Sequence, residues 1–566
     1  MGVHLIASLT GSRIDTIAAV KRDWLDPRAV VGCLMLLFLL RGFFYCLALP
    51  LWEGFDEPYQ FAAVEHVAAT GHMPAPTTPI SREVAASLYL SPAPWMLRLH
   101  QLPKPVITQE QYWALQPEER EKMRSELLSL PQSWAAEDSS PAIANYEGQQ
   151  APLYYFVAAP VLRAVSNLTL PGQVFALRLF GLLLACAALP VGYMFSRRVF
   201  GDTRLALIVV ALVVAMPELF IDVCRVSNEP LALLLSTVLL LLTVGFIQSE
   251  RPVLHVPGIA LILALALLTK AYFLAFLPAF IFVLWLRLRN SGAGARLLSS
   301  LAISAAVLVV VAGPWYWHVH RASGSWSGQA DDAASVHISR MALLAQVVHV
   351  NWRSGFASIL LSHVWFGGWS FLRFPAWIYL CVLLPVGVAV LGMCLYAWKW
   401  LRSGSRPDPV IAIAAFYLCF WIGLCYHVLV TYVHLGVSAS TGWYLYCLVF
   451  AEAALFVQGM AQLFEMKTLR KVLSGGIALL AVIDLYGVHA YMLPYYTGLT
   501  AHVGDRVPPL KPSAFSASEI FSRLASLGPG WVSPGALKFA WGGYVLSTIA
   551  LVLLGWAFVR NMRYRD

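Results

Sequence analysis

Long apolar runs alternate with short polar ones along most of the chain, and that pattern predicts a bundle of membrane helices. A spanning helix needs about 20 mostly apolar residues. The first such run is 29–51, with Lys21, Arg22 and Arg28 ahead of it. It is longer than the apolar core of a secretion signal and has no convincing small-residue cleavage site, so it reads as a retained helix. Further runs lie at 174–195, 204–223, 230–248, 254–269, 271–286, 298–318, 375–398, 410–432, 442–461, 472–493 and 541–559. Together they predict about 12 spans. The stretch 152–165 is apolar but short, and it reads as a helix lying along the interface. No internal repeat of the kind seen in secondary transporters is visible.

Charge orients this threading. Lys and Arg cluster at Arg197/Arg198, Arg251, Arg287/Arg289/Arg296, Lys399/Arg402/Arg406, Lys467/Arg470/Lys471 and Arg560/Arg563/Arg565. Each cluster falls on the same side, which the positive-inside rule makes cytoplasmic. The expected organisation is a cytoplasmic N-terminus (1–28) and a first span (29–51). A long outer loop with juxtamembrane helices (52–173) follows. Spans two to seven cover 174–318, a second outer loop 319–374 and spans eight to eleven 375–493. A third outer loop (494–539) precedes the last span and a cytoplasmic tail (540–566). The fold class is therefore all-α and polytopic.

Composition narrows the function. Of 566 residues, 59% are hydrophobic and 12% charged, against about 25% charged in soluble domains. Mean hydropathy is +0.68. An ordinary soluble enzyme, a disordered chain and a secreted disulfide scaffold are excluded. The net charge of +9 sits in the inner clusters, so it does not suggest nucleic acid. No GxxxxGK[ST] phosphate loop is present. The nine cysteines lie in or beside apolar runs without CxxC or Cys/His zinc spacing, which argues against a structural metal and a disulfide framework.

Candidate chemistry concentrates just outside the first span, in Glu53-Gly54-Phe55-Asp56-Glu57-Pro58-Tyr59-Gln60. Proline after an acidic residue starts a helix, which runs through FAAVEHVAATG and stops near Gly71. Asp56 and Gln60 are four apart and share a face. Asp56 is either a helix cap or a catalytic acid. Fixed positive charge is available at Lys270 and Arg225, at the outer ends of two helices; for Arg225 the alternative is a local pair with Asp222 or Glu218. Arg41, inside the first span, needs a buried acid, with Glu452 and Asp484 as candidates. His363 and His434 read as interfacial, and Asp331-Asp332 has no evident partner.

DEPYQ after the first span resembles the first-loop motif of the C-type (GT-C) membrane glycosyltransferases, which include protein O-mannosyltransferases and the lipid A aminoarabinose transferase. Tyr146-Glu147-Gly148-Gln149-Gln150-Ala151-Pro152-Leu153-Tyr154-Tyr155 is similar to that family's [H/K]xPPLYY pattern, with Gln149 where His is common and Ala151 for the first proline. Leu268-Thr269-Lys270 is similar to a Thr-Lys pair in such proteins. Gly442-Trp443-Tyr444-Leu445 is similar to a late G-R-Y-L motif, with Trp443 for the arginine. The architecture matches over most of the chain, and the motifs cover about 30 residues of it.

The resemblance implies a glycosyltransferase of the bacterial inner membrane with its site facing the periplasm. No nucleotide sugar is expected there, so the donor would be a sugar on a polyprenyl phosphate. The acceptor would be a glycan, lipid or protein, and transfer would be inverting. Asp56 is the first choice for the carboxylate that takes the acceptor proton or steadies the cationic sugar, and Glu57 the second. Lys270 and Arg225 would hold the donor phosphate. Gln60, Glu147, Gln149, Gln150, Tyr154, Tyr155, Trp443 and Tyr444 would line the substrate path. No cofactor is expected; a divalent metal on the Asp56-Glu57 pair is the alternative. Membrane lipids are the other partners. Competing readings are a transporter or lipid-linked flippase, and a glycan polymerase or ligase.

Overall fold

The computed structural model of the protein describes residues 24–100, 102–134, 143–289, 294–404, 406–559 and 563–564. Lys21, Arg22, Arg560 and Arg565 of the expected inner clusters lie outside these.

Among the described residues, ten helices are long and apolar enough to cross a membrane. They begin with Pro27–Ala48, Leu170–Phe200 and Glu229–Gln248 and end with Met466–Tyr496 and Pro534–Val559. Two further expected spans depart from a simple rod. Thr203–Ala215 and Pro217–Val223 are bent by 68°, because Pro217 cannot donate its backbone bond and breaks the ladder. Pro252–Leu267 is a shorter apolar helix. It nevertheless returns the chain to its starting level: Lys270, just past its end, is ion-paired with Glu229 at the start of Glu229–Gln248. With the bent pair taken as one span the described residues hold up to eleven, against the twelve or so expected. The segments Trp24–Leu25 and Arg563–Tyr564 pair side by side, so both ends of the described chain emerge on one side.

The expected short helix is Leu153–Ala164, 12 residues or about 18 Å long, which falls short of a bilayer core of about 30 Å. It packs on Glu57–Thr70, and Arg163 Nε donates to the carbonyl of Ala68 at 2.8 Å. Glu57–Thr70 itself starts on Pro58 and ends on Gly71, whose φ of +75° closes the C-terminus. The remainder of the first long loop holds Arg82–Leu90, Gln109–Ala114 and the exposed acidic helix Pro117–Leu128. Trp352–Val364 belongs to the second long loop and Ala517–Leu527 to the third.

Arg41 is fully buried in the first span and pairs with Asp484 at 2.9 Å. Tyr45 and Tyr544 also donate to that carboxylate, at 2.5 and 2.8 Å. A charge in the bilayer needs such a partner, and three donors satisfy Asp484. Glu452, the other candidate, bonds His363 instead, at 2.9 Å.

Candidate functional site on the long-loop side

The polar residues picked out above gather where the first long loop meets the ends of four helices. Asp56 stands at the N-cap position of Glu57–Thr70, yet its side chain makes no cap bond and its φ is +59°. N-cap residues are usually extended, and a non-glycine residue with positive φ is uncommon and costs energy. The backbone carbonyl of Asp56 serves the helix start, accepting from the amides of Tyr59 and Gln60 at 3.1 and 3.0 Å. Its half-buried carboxylate is left to accept from the hydroxyl of Tyr146.

One turn along the same face, Gln60 Nε2 donates to Glu147 at 2.6 Å, and Gln60 Oε1 accepts from Tyr155 at 2.6 Å. The turn Tyr146–Gln149, capped by Asn145, thus places Tyr146 on Asp56 and Glu147 on Gln60. Burial pushes the Glu147 carboxyl up to about 8, with Asp56 adding to the rise and Lys270 and Arg225 opposing it. Burial thus favours the protonated form of Glu147. The Tyr146 hydroxyl is also raised, by burial first and then by Asp56, so it remains a donor. His100 lies within electrostatic reach of Asp56; burial lowers its ring pKa and Asp56 opposes this.

The two cations sit beyond these acids. Lys270 falls at the break between Pro252–Leu267 and Ala271–Leu288. It is ion-paired with Glu229, and its Nζ lies 5.0 and 5.3 Å from the ring centres of Tyr444 and Tyr272. Arg225 is buried against Asp222 at 2.7 Å and donates to the carbonyl of Phe55. The local pair considered for Arg225 is therefore made. Gly54 lets the loop lie flat on this arginine: a Cβ there would stand 2.5 Å from Arg225 Cβ. Trp443 stacks on Phe55 at 3.7 Å and 13°, so the 442–448 turn places Trp443 beside the Asp56 loop and Tyr444 over Lys270. Gln150 accepts from Asn228 at 3.3 Å, and Asn228 also donates to the carbonyl of Thr269. Tyr154 is buried edge-on to Tyr155 at 5.5 Å, and Gln149 is half-buried at the end of its turn.

Glu57 is the exception. Arg178 grips both its oxygens at 2.7 and 2.5 Å, and the amide of Val226 adds a third bond at 3.0 Å. Arg178 also donates to the carbonyls of Leu49 and Pro50. Glu57 is fully buried in this clamp, with both carboxylate oxygens engaged by Arg178.

A cavity of about 580 Å³ lies behind Tyr272 and Tyr444, between Ala271–Leu288, Pro409–Leu435 and the second long loop. Its inner wall is apolar, through Leu274, Phe420 and Leu424; its outer rim is polar, through Ser325, Ser327 and Asp332. Asp331 and Asp332 do have partners: Thr431 and His434 at 2.6 and 2.7 Å for the first, Ser327 and Tyr426 at 2.6 and 2.5 Å for the second. Tyr146, Arg178, Glu229 and Tyr272 are the site residues not anticipated. Tyr146 heads a motif that had been singled out, and Glu229 starts a helix as the first residue before Pro230; those were the available signals.

No family model matches the chain, and no curated protein matches it. Among solved structures it is similar to ArnT from Cupriavidus metallidurans bound to undecaprenyl phosphate, at 15% identity and a TM-score of 0.47, over 93% of this chain and 77% of that one. It is also similar to the Archaeoglobus fulgidus oligosaccharyltransferase in the apo form, at 11% identity and a TM-score of 0.43, over 92% of this chain and 59% of that one. A third is the Archaeoglobus fulgidus oligosaccharyltransferase AglB in complex with an inhibitory peptide and a dolichol-phosphate, at 13% identity and a TM-score of 0.36; the chain spans 56% of its length.

Proposed function

We propose that the chain is a GT-C-type membrane glycosyltransferase that moves a sugar from a polyprenyl phosphate to a hydroxyl-bearing glycan, lipid or protein on the periplasmic face of a bacterial inner membrane. The observation that carries this reading is the state of Asp56. It holds the cap position but its side chain does not cap, it makes no ion pair among the described residues, and it sits beside Glu147 with Lys270 and Arg225 beyond. A carboxylate free of structural duty next to fixed positive charge suits a reaction that needs one proton acceptor and one phosphate anchor.

In this reading the donor phosphate lies against Lys270, supported by Arg225, and its lipid chain occupies the apolar part of the cavity behind Tyr272 and Tyr444. Asp56 takes the proton of the acceptor hydroxyl as its oxygen forms a bond to the anomeric carbon. The bond from that carbon to the phosphate oxygen breaks, and polyprenyl phosphate leaves with the electron pair. One displacement inverts the anomeric centre. Gln60, Glu147, Gln149, Gln150, Tyr154, Tyr155 and Trp443 border the sugar path.

Asp56→Asn tests this. The Asp56 side chain makes no cap bond and Asn tolerates the left-handed backbone there, so folding is expected to survive, while loss of a general base slows transfer by about 10²–10⁴-fold. The readout is mass spectrometry of surface glycans and lipid-linked sugars in cells lacking the gene, complemented with wild type or variant. Wild-type glycan levels with Asp56→Asn would remove the reading's main residue.

A further inference from the structure

The bond from Tyr146 to Asp56 sits where a helix cap should be, and it resolves a competition. An aspartate ahead of a helix ordinarily turns its carboxylate onto the amides of the first turn, a stabilising contact. Here those amides are served by the Asp56 carbonyl, the backbone is held at φ +59°, and the carboxylate is engaged by a phenol 90 residues away. We infer that Tyr146 is a positioning residue for the proposed transfer: it draws the Asp56 carboxylate off the helix start, fixes Oδ1, and leaves Oδ2 to meet the acceptor hydroxyl.

Three features support the assignment. The Tyr146 ring is itself fixed, packed on Tyr59 with ring centres 4.3 Å apart. Its hydroxyl stays protonated, because burial and the adjoining carboxylate both disfavour the phenolate. Among the described residues no cation is ion-paired with Asp56: Arg225 is bonded to Asp222 and Phe55, and Lys270 to Glu229. The other titratable groups within electrostatic reach of Asp56 are Glu147, His100, Tyr59, Tyr155 and Tyr444. The next residue in the turn, Glu147, is bonded to Gln60, so one rigid turn sets both ends of the same helix face.

The inference rests on the transferase reading. Its test is Tyr146→Phe, which keeps the ring and deletes only the hydroxyl, compared with Asp56→Asn and wild type in full-length purified protein and in complemented cells. Three quantities are read: thermal midpoint, binding of undecaprenyl phosphate, and gene-dependent glycan modification. A positioning role predicts an unchanged or slightly higher midpoint, since the carboxylate is free to cap, and unchanged binding of undecaprenyl phosphate. Modification is then slowed by roughly 10-fold or more, the worth of one hydrogen bond to a charged group. A lowered midpoint with undiminished modification would make Tyr146 a structural residue and overturn the inference. So would full modification at an unchanged midpoint, or a loss of modification matched by a loss of folded protein. If Asp56→Asn modifies glycans normally, the transferase reading itself falls; if only Tyr146→Phe does, that reading stands without this residue.

Discussion

Lys270 and Glu229 meet as an ion pair across a helical hairpin, where one helix has just ended and another begins. The pair fixes the ammonium between the rings of Tyr272 and Tyr444. Removing the acid alone should therefore free the cation, while removing the cation strands a buried acid.

That asymmetry gives a clean test of the donor-phosphate role. Lys270→Ala is expected to weaken binding of undecaprenyl phosphate by about 10–100-fold, the worth of a charge-assisted bond. Glu229→Gln should leave that affinity intact or raise it. Native mass spectrometry of the purified protein measures both. Equal losses in the two variants would make the pair purely structural.

Glu57→Gln should cost stability before it costs chemistry. The substitution leaves Arg178 charged and half-partnered in a buried site, a change worth about 3–5 kcal/mol. A lowered thermal midpoint is expected, with residual glycan modification in whatever protein folds. A well-folded but inactive Glu57→Gln protein would instead favour Glu57 as a catalytic acid.

Arg225→Ala is likewise expected to lower the midpoint, because it leaves Asp222 buried without its cation and the Phe55 carbonyl without its donor. Gly54→Ala should act on the same contact from the other side, since the new methyl would collide with Arg225. A mild effect of both would show that the Asp56 loop is held elsewhere.

Stability should fall as pH rises. Burial lifts the carboxyls of Glu53 and Glu147 from an ordinary 4.5 to about 8. Between those values the folded protein keeps protons that the unfolded chain has released, so each unit of pH favours unfolding until the folded groups ionise as well. Thermal midpoints measured from about pH 5 to about pH 9 should therefore decline and then level off. Glu147→Gln removes one contribution and should flatten the curve. A midpoint rising with pH over that window would mean these acids are ionised in the fold.

What the chain revealed in advance follows from the range of the forces involved. Helix Glu57–Thr70 could be read from Pro58 and Gly71 because start and stop signals are local. Asp484 could be named beside Glu452 as the partner of Arg41 because a lone charge in an apolar helix must find an acid. The clamp on Glu57 could not: Arg178 lies 121 residues further on, inside what reads as a plain membrane span. Pro217 was visible, yet the 68° bend at it was absorbed into one continuous run, since hydropathy measures apolarity and not direction. For Asp56 the sequence leaves cap and catalytic acid both open, and only its backbone angle and the distant Tyr146 show that its carboxylate is not the cap.

Arg178 has a consequence for how substrates meet. By holding Glu57 and the carbonyls of Leu49 and Pro50 at once, it rivets the first loop to the helices Pro27–Ala48 and Leu170–Phe200, so the neighbouring Asp56 has a set position relative to both. In the proposed reaction the carboxylate is thus a stationary tool at one altitude, and the workpieces must come to it. A lipid-borne donor already travels in the right plane and searches in two dimensions. An acceptor arriving from the aqueous side has to descend to that plane, so its reach toward the membrane, as much as its chemistry, decides whether it is glycosylated.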